Sequence, residues 1–422
     1  MVSAPRSRST LVLFAFLTAV TVLAPHYAAA LPPGIYSLGG EYDARRPGVR
    51  RDRIRSLAND GEWVSLGVFR EPLELLYTDG RRELAGTGGF DTGQPPEFDL
   101  TMDVFGIADE GTTRVGTQRW IDPDGGGRGH VDVIQPAVGP AVVIDQTVSE
   151  RDQVSSNGDF VLGQRLSLTP PGTPFFALPT NPTVWNRHSG WVDYDTPSGR
   201  SWVDPMFIAD DGTVVGTTVT LNAPPFEPVV LEGVVVWSPD GSARELGPLT
   251  LDDGSSWTPN APRAISRDGR HIVAGYEVGG MGVIGPDDSV WRLNLGGTTD
   301  PAGEVIFEAN AISGDGSIVV GRSGSTAGCS FGPVVVCRAS VWTRNEGRFD
   351  FETYLRLAGL DPTGWDFDSV ADVSHDGRIF VGYGQYEDGE DYLFYAVIPE
   401  PSTALLLGLG LAALPSSRRR SA

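Results

Sequence analysis

The sequence predicts an all-β fold, a seven-bladed β-propeller of four-stranded blades. Three observations carry the prediction. One turn-centred pattern recurs seven times at a spacing that suits a propeller blade, short β-branched runs flank every copy, and a spare strand stands near the N-terminus where the last copy lacks one.

Each copy is centred on a tight turn. An acidic residue or Asn followed by Gly stands at Asp60-Gly61, Glu110-Gly111, Asn157-Gly158, Asp211-Gly212, Asp268-Gly269, Asp315-Gly316 and Asp376-Gly377. Four residues before each Gly is an aliphatic: Leu57, Ile107, Val154, Ile208, Ile265, Ile312 and Val373. The next position is small, at Ala58, Ala108, Ser155, Ala209, Ser266, Ser313 and Ser374. Beyond the turn a second Gly closes a short apolar run, at Gly67, Gly116, Gly163, Gly216, Gly275, Gly321 and Gly382. The unit reads as strand, turn, strand, because Asp-Gly or Asn-Gly between short apolar runs is the strongest local hairpin signal.

A third run ends in an aromatic before a second polar turn, at Tyr77, Trp120, Trp185, Trp237 and Trp342, and a fourth follows, as in Ser242 to Leu246. The fifth unit differs: its turn is Gly285 to Asp288 and Trp291 comes after it. The last unit has no fourth strand after Tyr392 to Ile398, whereas Ile35 to Gly40 precedes the first full unit. That N-terminal strand is expected to complete the last blade and close the ring, so that neither chain end leaves an unpaired sheet edge. A β-sandwich or β-solenoid also uses short strands and glycine turns, but seven units and a matching spare strand favour the ring. The "AIS.DG..VVG" and "VW...G...LG" segments resemble HAF-type extracellular repeats over residues 35 to 398, without a literal His-Ala-Phe triplet.

The two ends read as processing signals, dividing the chain into a signal peptide (1–30), a propeller (31–398) and a sorting signal (399–422). Arg6 and Arg8 precede an apolar run from Leu11 to Leu23 that leads to Ala28-Ala29-Ala30. This is the order of a secretory signal, with Ala28 and Ala30 as the small residues of the cleavage site, and the run is too short for a membrane span of about 20 residues. The Sec translocon and signal peptidase are the implied partners. At the other end Pro399-Glu400-Pro401-Ser402-Thr403 precedes an apolar stretch from Ala404 to Leu414 and the cluster Arg418, Arg419, Arg420. These elements resemble the PEP-CTERM sorting signal. The resemblance implies an exosortase substrate of a Gram-negative bacterium, anchored transiently in the inner membrane, cut near Pro399, Glu400 and Pro401, and delivered to the cell surface or extracellular matrix. The positive-inside rule places the terminal arginines on the cytoplasmic side during that stage.

Removing Arg6, Arg8 and the three terminal arginines takes the formal charge from -22 to -27, and the sequence contains no lysine. Such a surface repels nucleic acid and anionic lipid and leaves carboxylates for cations or neutral glycans. The two cysteines, Cys329 and Cys337, are expected to form a local disulfide in an oxidising compartment.

Catalytic constellations are thin. His130, His188, His271 and His375 show no metal-ligand or triad spacing, and there is no G-x-S-x-G elbow, P-loop or H-E-x-x-H motif. No cofactor is expected, with one candidate kept open: Asp122, Asp124 and Asp132 around a Gly-rich turn supply hard oxygens suited to calcium. Insertions at Thr169 to Pro182, Asn222 to Pro228, Arg322 to Arg338 and Phe351 to Asp368 break the period, and such loops on a rigid scaffold are where binding usually resides. Phe175, Phe176 and Trp365 there are candidates for stacking on sugars. The expected function is a non-enzymatic binding or structural propeller of the cell envelope associated with exopolysaccharide. The alternatives are a secreted polysaccharide hydrolase or lyase, whose mark is a pair of carboxylates in a pocket, and a calcium-dependent adhesin.

Overall fold

Wherever the turn motif is described, the chain reverses on it and pairs with itself. In the computed structural model the described residues are 32–39, 54–58, 62–66, 74–78, 81–84, 99–108, 113–121, 128–136, 141–144, 154–167, 178–197, 203–220, 230–251, 254–275, 281–293, 305–325, 338–387 and 390–399. They form an all-β propeller.

After β1 (Gly34–Gly39) the first blade contains β2 (Ile54–Leu57), β3 (Trp63–Leu66), β4 (Glu74–Tyr77) and β5 (Arg82–Leu84). The next contains β6 (Asp99–Ile107), β7 (Arg114–Ile121), β8 (Arg128–Gln135) and β9 (Val142–Ile144). Then come β10 (Phe160–Ser167), β11 (Leu178–Asn186) and β12 (Gly190–Asp193), followed by a blade of β13 (Val203–Ile208), β14 (Val214–Thr220), β15 (Val230–Trp237) and β16 (Ala243–Leu246). A small hairpin, β17 (Leu249–Thr250) and β18 (Ser256–Trp257), leads to β19 (Ala261–Ile265), β20 (Ile272–Gly275), β21 (Met281–Ile284) and β22 (Val290–Arg292). The chain ends with β23 (Val305–Ile312), β24 (Ile318–Ser325), β25 (Arg338–Thr343) and β26 (Gly347–Asp350), helix α1 (Phe351–Leu357), and β27 (Trp365–Val373), β28 (Ile379–Tyr386) and β29 (Glu390–Val397).

Six of these sheets have four strands. Among the described residues the expected four-stranded blade is met in these six sheets; in the repeat at Asn157-Gly158, β10 to β12 make a three-stranded sheet and the first-strand position is described only as a single bridge from Val154 to Val161. Trp120 is also corrected: it lies on β7, a second strand, because β7 runs on to Ile121 in unbroken pairing with β8. Phe351 to Asp368 is not simply a loop. Asp350 caps α1 by accepting the Thr353 N–H at 2.9 Å, Phe351 and Leu355 are buried, and Trp365 onward belongs to β27.

The spare strand does what the repeat pattern requires. β1 pairs antiparallel with β29, Gly34 against Val397 through Gly39 against Leu393, and completes the sheet β1-β29-β28-β27. Ile35 packs on the cluster shared with β25 and α1, while Tyr36 and Leu38 pack on the cluster shared with β2, β3 and β4. Side-chain alternation along one strand thus serves both flanks of the blade. The first blade is also tied on directly: the Ile54 N–H donates to Tyr383 Oη at 2.7 Å and the Leu57 N–H to Asp372 Oδ2 at 3.0 Å.

The small residue of the motif is a latch where it is serine. Ser313 is fully buried; its Oγ donates to Asp315 Oδ1 at 2.8 Å and accepts the Ile318 N–H at 3.0 Å. Asp315 Oδ1 also accepts the Ser317 N–H, and Gly316 takes φ 68, the left-handed turn conformation that glycine adopts freely. Ser155, Ser266 and Ser374 repeat the latch. The closing glycine answers a β-bulge across from it: the register shifts between Ala309 and Ala311, and a Cβ on Gly321 would collide with the Glu308 carbonyl.

Two predictions follow from this frame. Deleting residues 31–40 should strip hydrogen-exchange protection from Ile379 to Gly382 and Tyr392 to Val397, since units sharing a sheet open together; unchanged protection there would show that β1 does not hold the ring. Ser313→Ala leaves the Ile318 N–H without its acceptor and should cost about 1 kcal/mol, read as a lower urea midpoint.

Candidate functional site

Strand direction gives the propeller two distinct faces. The turn between first and second strands and the turn between third and fourth strands lie at the same end, since Ile318 pairs with Thr343 and Val214 with Trp237. This end is the turn face. At the opposite end lie the connections from second to third strands and from each blade to the next, and there Trp365 pairs with Tyr386. In sequence the four insertions fall between β10 and β11, β14 and β15, β24 and β25, and β26 and β27, pairs of elements whose facing ends lie at the opposite face.

First strands are innermost: β27 touches β2 and β23, and β19 touches β13 and β23. Their turns therefore converge on the axis. The residue between the small position and the turn acid reads Ser156, Asp210, Arg267, Gly314 and His375 in the described repeats, with Asn59 and Asp109 at the same place outside the described residues. These residues bond from turn to turn. The Asp210 N–H donates to the Arg267 carbonyl at 2.9 Å and the Gly314 N–H to the His375 carbonyl at 3.0 Å. The Asn157 N–H donates to Asp210 Oδ1 at 2.8 Å, and its side-chain amide to the Asp210 carbonyl at 3.0 Å. A side chain at Gly314 would run into the His375 ring, so glycine there makes room for the imidazole.

The electrostatics place these side chains around one mouth. Burial raises the Asp210 carboxyl above its ordinary range, opposed by the Asn157 N–H and the positive charge of Arg267. Asp372, one strand position before Val373, is pushed by burial to about 6 against the N–H of Val373, the charge of Arg267 and the N–H of Leu57. Arg267 thus acts on carboxyls from two blades that are not neighbours of each other, as a group at the axis does. The mouth holds a guanidinium, two carboxyls and an imidazole, a mixed set of donors and acceptors suited to ligand hydroxyls.

Sequence alone marks these positions as turns, and neither Asp372 nor the axial position stands out in it. The available signal was chemical scatter, from Asp to Arg to Gly to His, at one position of an otherwise uniform motif. Of the sequence-derived sites, Ala28, Ala30, Asp122, Asp124, Cys329, Cys337, Glu400, Pro401, Arg418, Arg419 and Arg420 lie outside the described residues, as do Phe175 and Phe176. Asp132 is on β8, opposite Thr117 and Ile144. Among the described residues there is no cluster of three metal-ligating side chains, and no helix is long and apolar enough to cross a membrane. Pro399 closes the described chain just after β29. Trp365 stacks on Phe367 with centroids 5.6 Å apart and leans on Tyr386, so it is largely a packing residue. His271 is buried, its Nε2 2.8 Å from Arg344, which lies over Trp291. Burial, and then the charge of Arg344, holds its pKa below the ordinary value.

No protein-family model and no curated protein matches the chain. Among solved structures it is similar to U3-55K and to the WD40 repeats of RRP9, each at 13% identity with a TM-score of 0.44, covering 87% of this chain and 100% and 99% of theirs. It is also similar to a streptogramin B lyase, at 12% identity with a TM-score of 0.42, over 88% of this chain and all of that one.

The Asp372 shift predicts a pH effect of defined sign. A carboxyl whose pKa is raised on folding stabilises the native state fully below its unfolded value, and that contribution is lost as pH rises through about 6. Asp372→Asn should therefore gain stability relative to the parent between pH 4.5 and pH 7.5, by about 1 to 2 kcal/mol; parallel melting curves across that window would contradict the assignment.

Proposed function

We propose that the protein is an exported, non-enzymatic propeller that binds a polysaccharide of the cell surface or extracellular matrix, with seven blades counting the β10–β12 sheet. The observation that carries this reading is the join between fold and tail. β29 ends at Val397, Pro399-Glu400-Pro401 follows at once, and the apolar stretch and arginine cluster come next in sorting order. A domain that finishes where a processing signal begins is built to be released whole. The mixed donors and acceptors of the mouth and the acidic surface suit a hydroxyl-rich, uncharged or cationic ligand better than nucleic acid.

A second reading draws on the two carboxyls that share Arg267. Asp210 and Asp372 both hold raised pKa values, the condition for a general acid in glycoside cleavage. Release of new reducing ends from a bound polysaccharide, abolished by Asp372→Asn, would favour this enzyme reading. Binding without release supports the first.

Intact-mass spectrometry of protein from the native host should show a chain beginning at Leu31 and ending near Pro399 to Pro401. A chain retaining Arg418 to Arg420 would remove the sorting proposal.

A further inference from the structure

Where the chain leaves the fold determines how a tethered fold is held. Val397 and Gly34 are register partners, so the two ends of the propeller emerge side by side. They emerge at the turn face. Val397 also pairs with Ile379, the start of β28, and the Ile398 N–H donates to the carbonyl of Arg378 at 2.8 Å, directly after the turn at Asp376-Gly377. In the blades of β16 and β26 this rim position is occupied by the third-to-fourth-strand turns at Asp240-Gly241 and Glu346-Gly347; here the two chain ends replace it.

Reach then selects the orientation. The apolar stretch begins at Ala404, and the segment from Val397 to Ala404 spans at most about 25 Å when fully extended. β29, which runs from one face to the other, is itself about 26 Å long. A tail that had to pass over the rim to the opposite face would use its whole reach before meeting lipid. The charges around the mouth are mixed, with Asp210, Asp211, Asp268, Asp315, Asp372 and Asp376 beside Arg267, Arg270 and Arg378. The carboxylates outnumber the guanidiniums, so charge does not draw this face to anionic lipid and the reach of the tether alone favours the orientation.

We infer that the uncut chain is held with its turn face toward the lipid surface, the axial mouth around Arg267 turned to the bilayer and the opposite face turned away, and that cutting the tail uncovers the mouth. The inference rests on the sorting reading above and adds the orientation and its consequence. Ligands of the opposite face are reachable while the protein is anchored; ligands of the mouth become reachable on release.

The test places a single reporter cysteine in a full chain carrying Cys329→Ser and Cys337→Ser. The positions are Arg270→Cys or Asp240→Cys on the turn face, both exposed, and Glu387→Cys on the opposite face. Each protein is inserted into vesicles of phosphatidylethanolamine and phosphatidylglycerol, and its reaction with a polyethylene-glycol maleimide is compared with that of the same chain ending at Pro399. Labelling at 270 and 240 should slow several-fold on vesicles while labelling at 387 is unchanged. Co-flotation with vesicles but equal labelling at all three positions, or slowing at 387 instead, overturns the orientation and leaves the anchor intact. Failure to co-float overturns the anchor and the orientation with it. The second turn-face position guards against one variant misfolding.

Discussion

The backbone pairing of β1 with β29 is the contact on which the ring depends, because it joins segments at opposite ends of the chain. Among the described residues all other strand pairings inside a blade are between neighbours in sequence and form as local hairpins. This one closes a loop of more than 300 residues, and its entropy cost must be met by what the closed ring gains. The gain is visible on both flanks. Val320, Val341, Phe351 and Phe380 bury one side of the last blade, and Leu57, Leu66, Leu76 and Tyr395 bury the other. Phe351 lies 5.2 Å from both Phe367 and Phe394, so α1 supplies an aromatic wedge between β25 and the last blade. Without β1 the sheet edge at β29 would stand open.

Within that ring the repeated turn does two jobs with the same few atoms. Its outer part fixes the hairpin through serine, the turn carboxylate and a glycine at positive φ. Its inner residue, which makes no demand on the hairpin, is left to vary and points the chemistry of each blade toward the axis. The rigid latch and the variable neighbour explain how one motif yields a chemically uneven mouth: the scaffold tolerates Asp, Arg, Gly or His there because the turn is already held by Ser266, Ser313 and Ser374 or by the main chain.

Chain direction links this mouth to the tail. Since the ends of the fold replace a third-to-fourth-strand turn, any tail attached after Val397 leaves from the face that bears the mouth. In the function proposed above, that arrangement separates what the propeller touches when tethered from what it touches when free.

Much of this was legible in the sequence, and the reason is local. Asp-Gly steps, aliphatics before them and glycines after them act over fewer than ten residues, so hairpins at Asp268-Gly269, Asp315-Gly316 and Asp376-Gly377 and the matching strand at Ile35 could be read directly. The α1 helix is also encoded locally, since Asp350 and Thr353 form its cap and Phe351 and Leu355 share its buried side, but it lies in an insertion that the period of the repeat does not describe. Three things were decided only by the tertiary structure: the single bridge from Val154 to Val161 ahead of β10, the convergence of Asp210, Arg267 and Asp372, and the placing of Gly34 and Val397 side by side on the turn face. Each depends on how separate hairpins are arranged around an axis. The raised pKa of Asp372 comes from burial in the assembled ring, opposed in part by the Leu57 N–H that β2 brings from the far end of the chain, and no pattern within a single repeat encodes that neighbour.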